Sequence, residues 1–453
     1  MLSKIETNSM THFGLICPSA SGHLNTIIPL GQELKRRGHR VTLVGVPITK
    51  TGFQTQAKTL AEGLEFQAVW QPDSVESPPE YSSQNVSQNF DFSTLLSQQR
   101  EIDSQRIKIG WIPGQSVVYQ EKYLTHAPAA IKSAGIEALL IDSKASAGAT
   151  VAQYLDIPFV SIFSAIISHS EATVPPFDTT WSYDSSWWGI LRNQIGYVYL
   201  KKTEASVLKV INYYRRKWNL PLLSSFDDDY SPLAQISQQI AELEFPRQRL
   251  PRYFHFTGPY HYSGSRSPIF FPYDKLTNQP LIYASLGSML GGLQWVIEVM
   301  ASACKDLDVQ LVISRGGINN CDFPGELPKN TLLVNNAPQL ELLQKATLTI
   351  THGGINTVLE SLYNGLPMVA IPLFSDQHGM AARVAWAGCG EFIPLNKLTV
   401  KNLHKTLKKV LGNDSYRKRA LDLQLAIKKS GGVEKAVDII EEAISTKKPV
   451  LAR

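Results

Sequence analysis

A histidine and two glycines stand between an apolar strand pattern and a helical pattern in the C-terminal half of the chain. The strand pattern is TLTIT (347–351), the triplet HGG begins at His352, and INTVLESLYNG follows. N–H groups at a helix N terminus bind anions, and glycines let a phosphate approach the backbone closely. Asn356 and Glu360 are four residues apart on one helical face, which suits Glu360 to ribose hydroxyls. We therefore predict a phosphate-binding site here. A tight turn in which His352 caps a backbone group is the alternative.

A second polar loop follows the next apolar strand pattern, MVAIPLF (368–374). It places Asp376 and Gln377 side by side just after the strand, and a carboxylate beside an amide can bind neighbouring sugar hydroxyls. Ligands of parallel sheets bind beyond the carboxyl ends of the strands, so this loop and the HGG loop are expected to line one site. The two loops together favour ligand binding over a simple turn.

A histidine and an aspartate in the N-terminal half have the types and positions of a general base and its supporting carboxylate. His23 lies in the SGHLN loop after the first apolar strand, HFGLICP (12–18), and Asp142 ends the strand pattern EALLIDS (137–143). An imidazole titrates near neutral pH, and a carboxylate behind it stabilises the imidazolium that forms when it takes a proton. The alternatives are structural: His23 as a helix cap, and Asp142 as the N-cap of a helix over 144–155.

Strand and helix patterns alternate along both halves of the chain, which is typical of parallel sheets covered by helices. The strand at 12–18 is followed by a helix over 25–37 and a strand at 40–46, and a segment dense in Gly, Pro and Ser separates the two halves. We expect an α/β protein with two Rossmann-like βα domains facing a cleft. The predicted parts are an N-terminal domain at 1–256, a linker at 257–279, a C-terminal domain at 280–432, and a final helix and tail at 433–453 that pack back on the N-terminal domain.

Composition excludes several classes of protein. Of 453 residues, 43% are hydrophobic and 18% are charged, which indicates a folded globular chain. A formal net charge of +5 is too small to argue for nucleic-acid binding. The four cysteines are far apart in sequence, so neither a zinc site nor a redox pair is expected. The first ten residues lack a signal-peptide pattern, Met10 is a second candidate start, and no apolar run reaches the ~20 residues of a membrane span. A cytoplasmic protein is expected.

The segment NNAPQLELLQ…TITHGGINTVLESLYNGLPMVAIPLFSDQHGMAARV (335–384) resembles the donor-binding signature of family 1 glycosyltransferases. These enzymes have the GT-B fold and move sugars from nucleotide sugars to small lipophilic acceptors. The unit at 12–46 and the two-domain layout extend the resemblance over nearly the whole chain. The forms DQxGxAARV and THxGxNTV resemble zeaxanthin (carotenoid) glucosyltransferases and their bacterial relatives more than plant flavonoid enzymes.

The resemblance implies roles for the residues that match the family's motifs. The implied catalytic dyad is His23 and Asp142. The implied donor-binding residues are Ser285, Gly287 and Ser288 with His352, Gly354, Asn356 and Thr357 at the diphosphate, Asn336, Ala337 and Gln339 at the base, Glu360 at the ribose, and Asp376 and Gln377 at the sugar.

The implied activity is an inverting transfer of a hexose, glucose from UDP-glucose, without a metal or another cofactor. The family often has a tryptophan stacked on uracil where this chain has Asn336, so a dTDP sugar stays an alternative. Another GT-B nucleotide-sugar enzyme, such as a cell-wall precursor transferase or an epimerase, is a further alternative. A nicotinamide dehydrogenase would need GxGxxG after the first strand, which PSASGH lacks. The Asp-x-Asp in FDDDY (226–230) follows no apolar strand, so we interpret it as a solvated loop or a helix start rather than a metal site.

The acceptor is expected to contact the N-terminal domain at 77–115 and 164–200. The aromatic residues of this region are Trp181, Tyr183, Trp187, Trp188, Tyr197 and Tyr199. One interpretation is a helical pair packed on its own core, and a second is the wall of a pocket for a flat or long apolar alcohol. A peripheral contact with a membrane is a third, because basic residues follow closely at Lys201, Lys202, Arg215, Arg216 and Lys217.

Overall fold

The structure is a computed structural model that describes residues 10–47, 54–70, 113–261, 266, 268–287, 293–317 and 326–452. Two β-sheets make up its centre, and every strand pair in them is parallel. The N-terminal sheet contains β1 (His12–Ile16), β2 (Arg40–Gly45), β3 (Glu65–Ala68), β4 (Ala138–Asp142), β5 (Phe159–Phe163), β6 (Gln235–Ser237) and β7 (Phe254–Phe256). The C-terminal sheet contains β8 (Leu281–Ser285), β9 (Gln310–Ser314), β10 (Thr331–Val334), β11 (Ala346–Thr351), β12 (Met368–Ala370) and β13 (Gly390–Phe392).

The strand order reverses once in each sheet. The orders are β3-β2-β1-β4-β5-β6-β7 and β10-β9-β8-β11-β12-β13, so the reversals lie between β1 and β4 and between β8 and β11. Ligands of such sheets bind beyond the carboxyl ends of the strands at this point, where the crossover helices leave a crevice. The predicted α/β class with two Rossmann-like domains is confirmed. The domain bounds stay a prediction.

Helices cover both faces of each sheet, so central strands such as β4 (ALLID) and β9 (QLVIS) are largely apolar. The helices are α1 (Ser21–Arg36), α2 (Thr55–Ala61), α3 (Pro113–Ala134), α4 (Ala147–Leu155), α5 (Trp187–Lys217), α6 (Gln294–Cys304), α7 (Gln339–Lys345), α8 (Ile355–Tyr363), α9 (Gln377–Trp386), α10 (Val400–Leu411), α11 (Asp414–Lys429) and α12 (Gly432–Thr446).

The last helix belongs to the N-terminal half of the molecule, as predicted. In α12, Val437, Ile440 and Ala443 are buried in one apolar cluster with Leu24 and Ile27 of α1. The tail beyond α12 continues along the same half, because the N–H of Val450 donates to the carbonyl of Leu233 at 2.8 Å. The chain therefore crosses between the two halves twice.

The two crossings run past each other at one place. The N–H of Gly432, on the return crossing, donates to the carbonyl of Thr257, on the outward crossing, at 2.7 Å. Gly258 lies so close to Ser430 that a Cβ at this position would collide with the serine hydroxyl. Gly258, Gly431 and Gly432 all have positive φ, a conformation that glycine adopts without strain.

Two predicted elements were wrong in extent. The first helix begins at Ser21 rather than near residue 25, after Ala20 in an extended conformation, so His23 lies in the first helical turn and not in a loop. The aromatic region contains one 31-residue helix, α5, instead of a helical pair. Of the predicted acceptor wall at 77–115, residues 77–112 lie outside the described residues.

The FDDDY segment is a helix start, as one of its two interpretations stated, and it is only partly solvated: Asp228 is exposed, whereas Asp229 is buried. Residues Phe226–Asp229 form a 3₁₀ helix, and Asp229 is buried and pairs with Arg215 at 3.2 Å. Burial raises the pKa of Asp229 to about 7, although Arg215 opposes the shift.

The described residues contain neither a metal-binding cluster nor a membrane span. No group of three or more His, Cys, Asp or Glu side chains among them could hold a metal ion, and none of their helices is long and apolar enough to cross a bilayer. Cys17, Cys304 and Cys389 are buried free thiols, and Cys321 lies outside the described part of the chain.

A buried ion pair joins the two halves beside the cleft. Glu244 of the N-terminal half accepts from Nε of Arg383 in α9 at 2.9 Å, and the side chains are 2% and 0% exposed. Arg247 approaches the same carboxylate at 3.3 Å. Burial raises the pKa of Glu244, but the two guanidinium groups outweigh it and hold the pKa below its ordinary value. Glu244 is thus the shared counter-charge of two buried cations, of which it neutralises one charge.

We expect Glu244→Gln to lower the free energy of unfolding by about 3 kcal/mol or more, because it leaves two buried guanidinium groups without a counter-charge. Asp422→Asn is the matched control, since Asp422 pairs with Arg419 at 3.2 Å on the surface and both side chains are about half exposed. The control should cost less than ~1 kcal/mol. Urea unfolding measures both, and equal losses for the two variants would contradict the role given to Glu244.

Candidate active site

A cleft of about 1020 Å³ lies between the carboxyl ends of the two sheets. Residues from both halves line it, including His23 and Ser164 from the N-terminal half and Ser285, His352 and Asp376 from the C-terminal half. This volume is at the upper end of small-molecule sites, so it has room for two substrates.

His23 and Asp142 meet at the reversal point of the N-terminal sheet. Nδ1 of His23 lies 2.8 Å from Oδ2 of Asp142, and the aspartate side chain is fully buried. Ser164, which directly follows β5, donates its hydroxyl to the same carboxylate oxygen. The other oxygen of Asp142 accepts from the N–H of Lys144 at 2.8 Å. Because the carboxylate can only accept, Nδ1 carries a proton, and Nε2 is left with a lone pair.

The electrostatics of His23 suit it to take a proton. Burial lowers the pKa of His23, but the attraction of Asp142, its hydrogen bond and the more distant Asp376 together raise the pKa above the ordinary value of 6.5. Nε2 has no hydrogen-bond partner among the described residues, and His23 lines the cleft with 23% of its side chain exposed. A general base needs such an arrangement, in which one nitrogen is reachable from the cleft while the other is fixed.

The ring of His352 lies close to two glycines, Gly287 and Gly354, where the strand order of the C-terminal sheet reverses between β8 and β11. A Cβ on Gly287 would come within 2.9 Å of its Nε2, and one on Gly354 would come closer still. The N terminus of α8 starts directly after Gly354, and no side chain caps it. Backbone N–H groups and the positive end of the helix dipole therefore face the cleft here, as an anion site requires.

The protonation of His352 is set by its surroundings. Nδ1 lies 3.4 Å from the carbonyl of Ser285, which can only accept, so this nitrogen carries the proton of the neutral ring. Burial lowers the pKa of His352 below its ordinary value. Nε2 can donate to a phosphate only when the ring is protonated, and a bound anion would supply the negative charge that favours this form.

Glu360 does not project openly into the cleft as its spacing from Asn356 suggested. Its carboxylate is 1% exposed, it forms an ion pair with Arg266, and Gln339 donates to its second oxygen. Arg266 and Gln339 line the cleft. A ribose hydroxyl would reach Glu360 by sharing or displacing one of these two partners.

The other predicted donor residues are distributed around the same cleft. Asp376 occupies the N-cap position of α9. Gln377 is the first residue of this helix, and its side-chain oxygen accepts from the N–H groups of Leu373 and Phe374. Only the amide nitrogen of Gln377 is thus left for a ligand. The further lining residues among those predicted are Ser285, Gly287, Asn336, Ala337, Gln339, Gly354, Asn356 and Thr357. Ser288 lies outside the described residues.

Asn356 binds across the cleft to the half that carries His23. Its Nδ2 donates to the carbonyl of Gly22 at 2.8 Å, and its Oδ1 accepts from Nε2 of Gln238 at 2.8 Å. Gln238 also donates to the carbonyl of Ser164 at 2.8 Å. A chain of hydrogen bonds therefore connects the start of α8 with the serine that contacts Asp142.

Sequence analysis missed three residues of this site: Ser164, Gln238 and Arg266. Ser164 and Gln238 directly follow β5 and β6, so a search of every strand end would have found them. Arg266 comes from the Gly-, Pro- and Ser-rich segment between the halves, where no pattern indicates a contact.

Comparison of the chain with known proteins identifies its family. The chain matches the sequence model described as UDP-glucoronosyl and UDP-glucosyl transferase over residues 14–437. The zeaxanthin glucosyltransferase of Pantoea ananas is 29% identical over 452 residues, covering 98% of this chain and 98% of that protein. The zeaxanthin glucosyltransferase of Pseudescherichia vulneris is 27% identical over 447 residues, covering 96% and 98%.

Solved structures show the same fold. The calicheamicin glycosyltransferase CalG4 superposes with a TM-score of 0.69 at 20% identity, covering 97% of this chain and 100% of that one. The glycosyltransferase VinC, solved in complex with dTDP, superposes with a TM-score of 0.66 at 16% identity, covering 96% and 100%. The chain therefore belongs to the UDP-glucoronosyl and UDP-glucosyl transferases of family 1 and is a glycosyltransferase with the GT-B fold.

Proposed function

We propose that this glycosyltransferase moves a hexose, glucose from UDP-glucose, to a hydroxyl of a small lipophilic acceptor with inversion at the anomeric carbon. The arrangement of His23 supports this most directly, because its Nδ1 is held by Asp142 while its ring lines the same cleft as the loop at His352. A single displacement needs a base on one side of the reacting carbon and stabilisation of the leaving anion on the other.

In the proposed reaction, Nε2 of His23 takes the proton of the acceptor hydroxyl while the acceptor oxygen forms a bond to the anomeric carbon. The bond from that carbon to the β-phosphate oxygen breaks, and UDP leaves from the opposite face. Asp142 stabilises the imidazolium, and the N–H groups at the start of α8 stabilise the diphosphate. Because these N–H groups stabilise the negative charge of the leaving diphosphate, the proposed mechanism requires no metal ion. Activity should therefore be undiminished in excess chelator.

An apolar alcohol is the proposed acceptor, such as a hydroxylated carotenoid, a sterol or a polyphenol. Leu24, Ile28 and Ala165 line the cleft on the side of His23. Two relatives that match over nearly their whole length are named zeaxanthin glucosyltransferases. Their names support a hydroxylated carotenoid as the first acceptor to test.

The donor base is proposed to lie against Asn336, Ala337 and Gln339. No tryptophan stands where many family members stack one on uracil, which keeps a dTDP sugar as the alternative donor. The alternative enzymes, a cell-wall precursor transferase and an epimerase, would use the same donor side.

A screen of UDP-glucose and dTDP-glucose against zeaxanthin, a sterol and a flavonoid, read by release of nucleoside diphosphate and by product mass, tests the proposal. We expect transfer from UDP-glucose to at least one apolar alcohol. Transfer from dTDP-glucose alone would correct the donor. Conversion of a nucleotide sugar without any acceptor would favour the epimerase instead.

We expect His23→Ala to lower kcat by roughly 10²–10⁴-fold, the usual contribution of a general base, and to leave the Kd of UDP nearly unchanged. Steady-state kinetics and calorimetric titration with UDP measure the two effects. His126→Ala, at an exposed histidine outside the cleft lining, is the matched control and should change neither. Loss of UDP binding together with activity would contradict the division of the cleft into a base side and a donor side.

The pH dependence of the reaction follows from the raised pKa of His23. Only the neutral ring can act as a base, so kcat/KM should rise with pH through an apparent pKa above 6.5. Asp142→Asn removes the charge that raises this pKa, so the rising limb should move to lower pH while the maximum rate falls. The pH–rate profile, with histidine NMR titration where the residual rate is small, measures the shift. A limb that stays in place would show that Asp142 does not act on His23.

A further inference from the structure

Helix α5 is apolar on both sides at its N-terminal end, yet only one side is covered by the described chain. Its covered side carries the buried residues Gly189, Asn193, Tyr197, Leu200, Val207 and Ile211. A helix that is apolar all round is normally buried all round, because water would otherwise contact a continuous apolar surface. The exposed side of α5 is therefore a candidate interaction surface.

The uncovered side carries a stripe of large apolar residues. Its members are Trp188, Leu191, Ile195, Val198 and Tyr199, with exposed fractions of 63%, 41%, 63%, 57% and 57%. Their spacing of three, four, three and one residues keeps them on one helical face over about 17 Å. Trp187 stacks on Trp188 with ring centroids 3.6 Å apart and is also 63% exposed. Single exposed apolar residues are common in proteins, but a contiguous stripe of this kind marks an interaction surface.

The same face becomes basic towards the C-terminal end of the helix. Lys202, Lys209, Arg216 and Lys217 continue the stripe at helical spacing, and all four are exposed. Within its 31 residues α5 has seven basic side chains and one acidic, Glu204. Without Arg215, which is buried and pairs with Asp229, the surplus is five, equal to the net charge of +5 of the whole chain. Glu204 lies about half a turn away from the stripe, and burial raises its pKa to about 7, so it offsets little of this charge.

We propose that α5 docks lengthwise on an anionic membrane surface. The apolar stripe would enter the boundary between headgroups and acyl chains, and the basic end would contact anionic headgroups. A second copy of the chain fits this face poorly, since two such helices would bring their lysines and arginines together. A bilayer offers both the apolar medium and the negative charge that the two ends of the helix require.

The segment before α5 connects this surface with the cleft. The carbonyl of Phe177 accepts from the N–H of Gly379 at 3.1 Å, in the first turn of α9, whose start lines the cleft through Asp376 and Gln377. A lipophilic acceptor dissolved in the bilayer would thus be taken up close to the reacting groups. This last step rests on the proposed function, whereas docking itself does not.

Flotation of the full chain with vesicles tests the docking without any donor or acceptor. We expect binding to vesicles of equal parts phosphatidylcholine and phosphatidylglycerol, little binding to phosphatidylcholine alone, and weaker binding at high salt, which screens exposed charge. The double variant Trp188→Ser, Ile195→Ser should lose most of the binding. The triple variant Lys202→Glu, Lys209→Glu, Arg216→Glu should lose roughly a hundredfold or more, since each basic residue near the surface contributes about fivefold.

The matched control is Lys401→Glu, Lys405→Glu, Lys408→Glu, which makes the same change of charge on exposed positions of α10. Equal loss of binding in both triple variants would overturn the proposal, because it would reduce the effect to net charge. UDP binding should stay unchanged in all variants and reports that they are folded. A concentration-dependent dimer in sedimentation that the serine variant abolishes would assign the stripe to a second copy. Absence of vesicle binding with a lowered melting temperature of the serine variant would assign it to contacts within the chain, such as with residues 71–112.

An activity comparison separates failure of docking from failure of the proposed function. The α5 variants should lose transfer to an acceptor embedded in anionic vesicles and keep transfer to the same acceptor in detergent micelles. Equal activity of wild type and variants on both would overturn the delivery role. No transfer by any of them would refute the proposed function and leave the flotation result standing.

Discussion

The buried carboxylates of Asp142, Glu244 and Glu360, which belong to the described part of the chain, have almost no contact with water, and the surroundings of the cleft are arranged around their charge. Asp142, Glu244 and Glu360 have side chains that are 0–2% exposed. A buried carboxylate is stable only where hydrogen-bond donors or cations replace its hydration. Each of the three meets this requirement with at least one partner from a distant part of the chain: His23 for Asp142, Arg383 for Glu244, and Arg266 for Glu360. The position of His23, the contact between the halves and the positions of Arg266 and Gln339 in the cleft are therefore fixed by one kind of interaction.

The sheet topology brings these groups together. In both sheets the strand order reverses beside the first strand, so the ends of β1, β4, β8 and β11 point into one crevice. Hydrogen bonds then join the two sides, since Gln238 contacts both Asn356 and the backbone of Ser164. The start of α8 and the serine that contacts Asp142 consequently belong to one polar network. A network of this kind keeps two groups in register because each member needs its neighbours to stay satisfied.

Sequence reasoning was strongest where a signal is local. The alternation of apolar strands and helices, the glycines around His352 and the carboxyl ends of the strands all depend on short-range patterns, and they located the fold and the cleft. The start of α1 was wrong because the Gly/Ser segment reads as a loop although its backbone continues as a helix. The ion pair of Glu360 could not be predicted from the sequence, because its partner Arg266 lies 94 residues away in a segment without periodicity. The uncovered face of α5 could not be read either, since a run rich in tryptophan and tyrosine gives the same pattern whether or not something packs against it.

The double crossing of the chain has a mechanical consequence. Thr257 and Gly432 are hydrogen-bonded to each other, so the two chain segments that connect the halves pass through a single point. Three glycines with positive φ lie beside it. Two connections at separate places would prevent rotation, and a single connection would permit it in every direction. A paired connection at one point confines the covalent restraint between the halves to that point, so their relative orientation depends on the non-covalent contacts between them, namely the Glu244–Arg383 ion pair and the hydrogen bonds of Asn356.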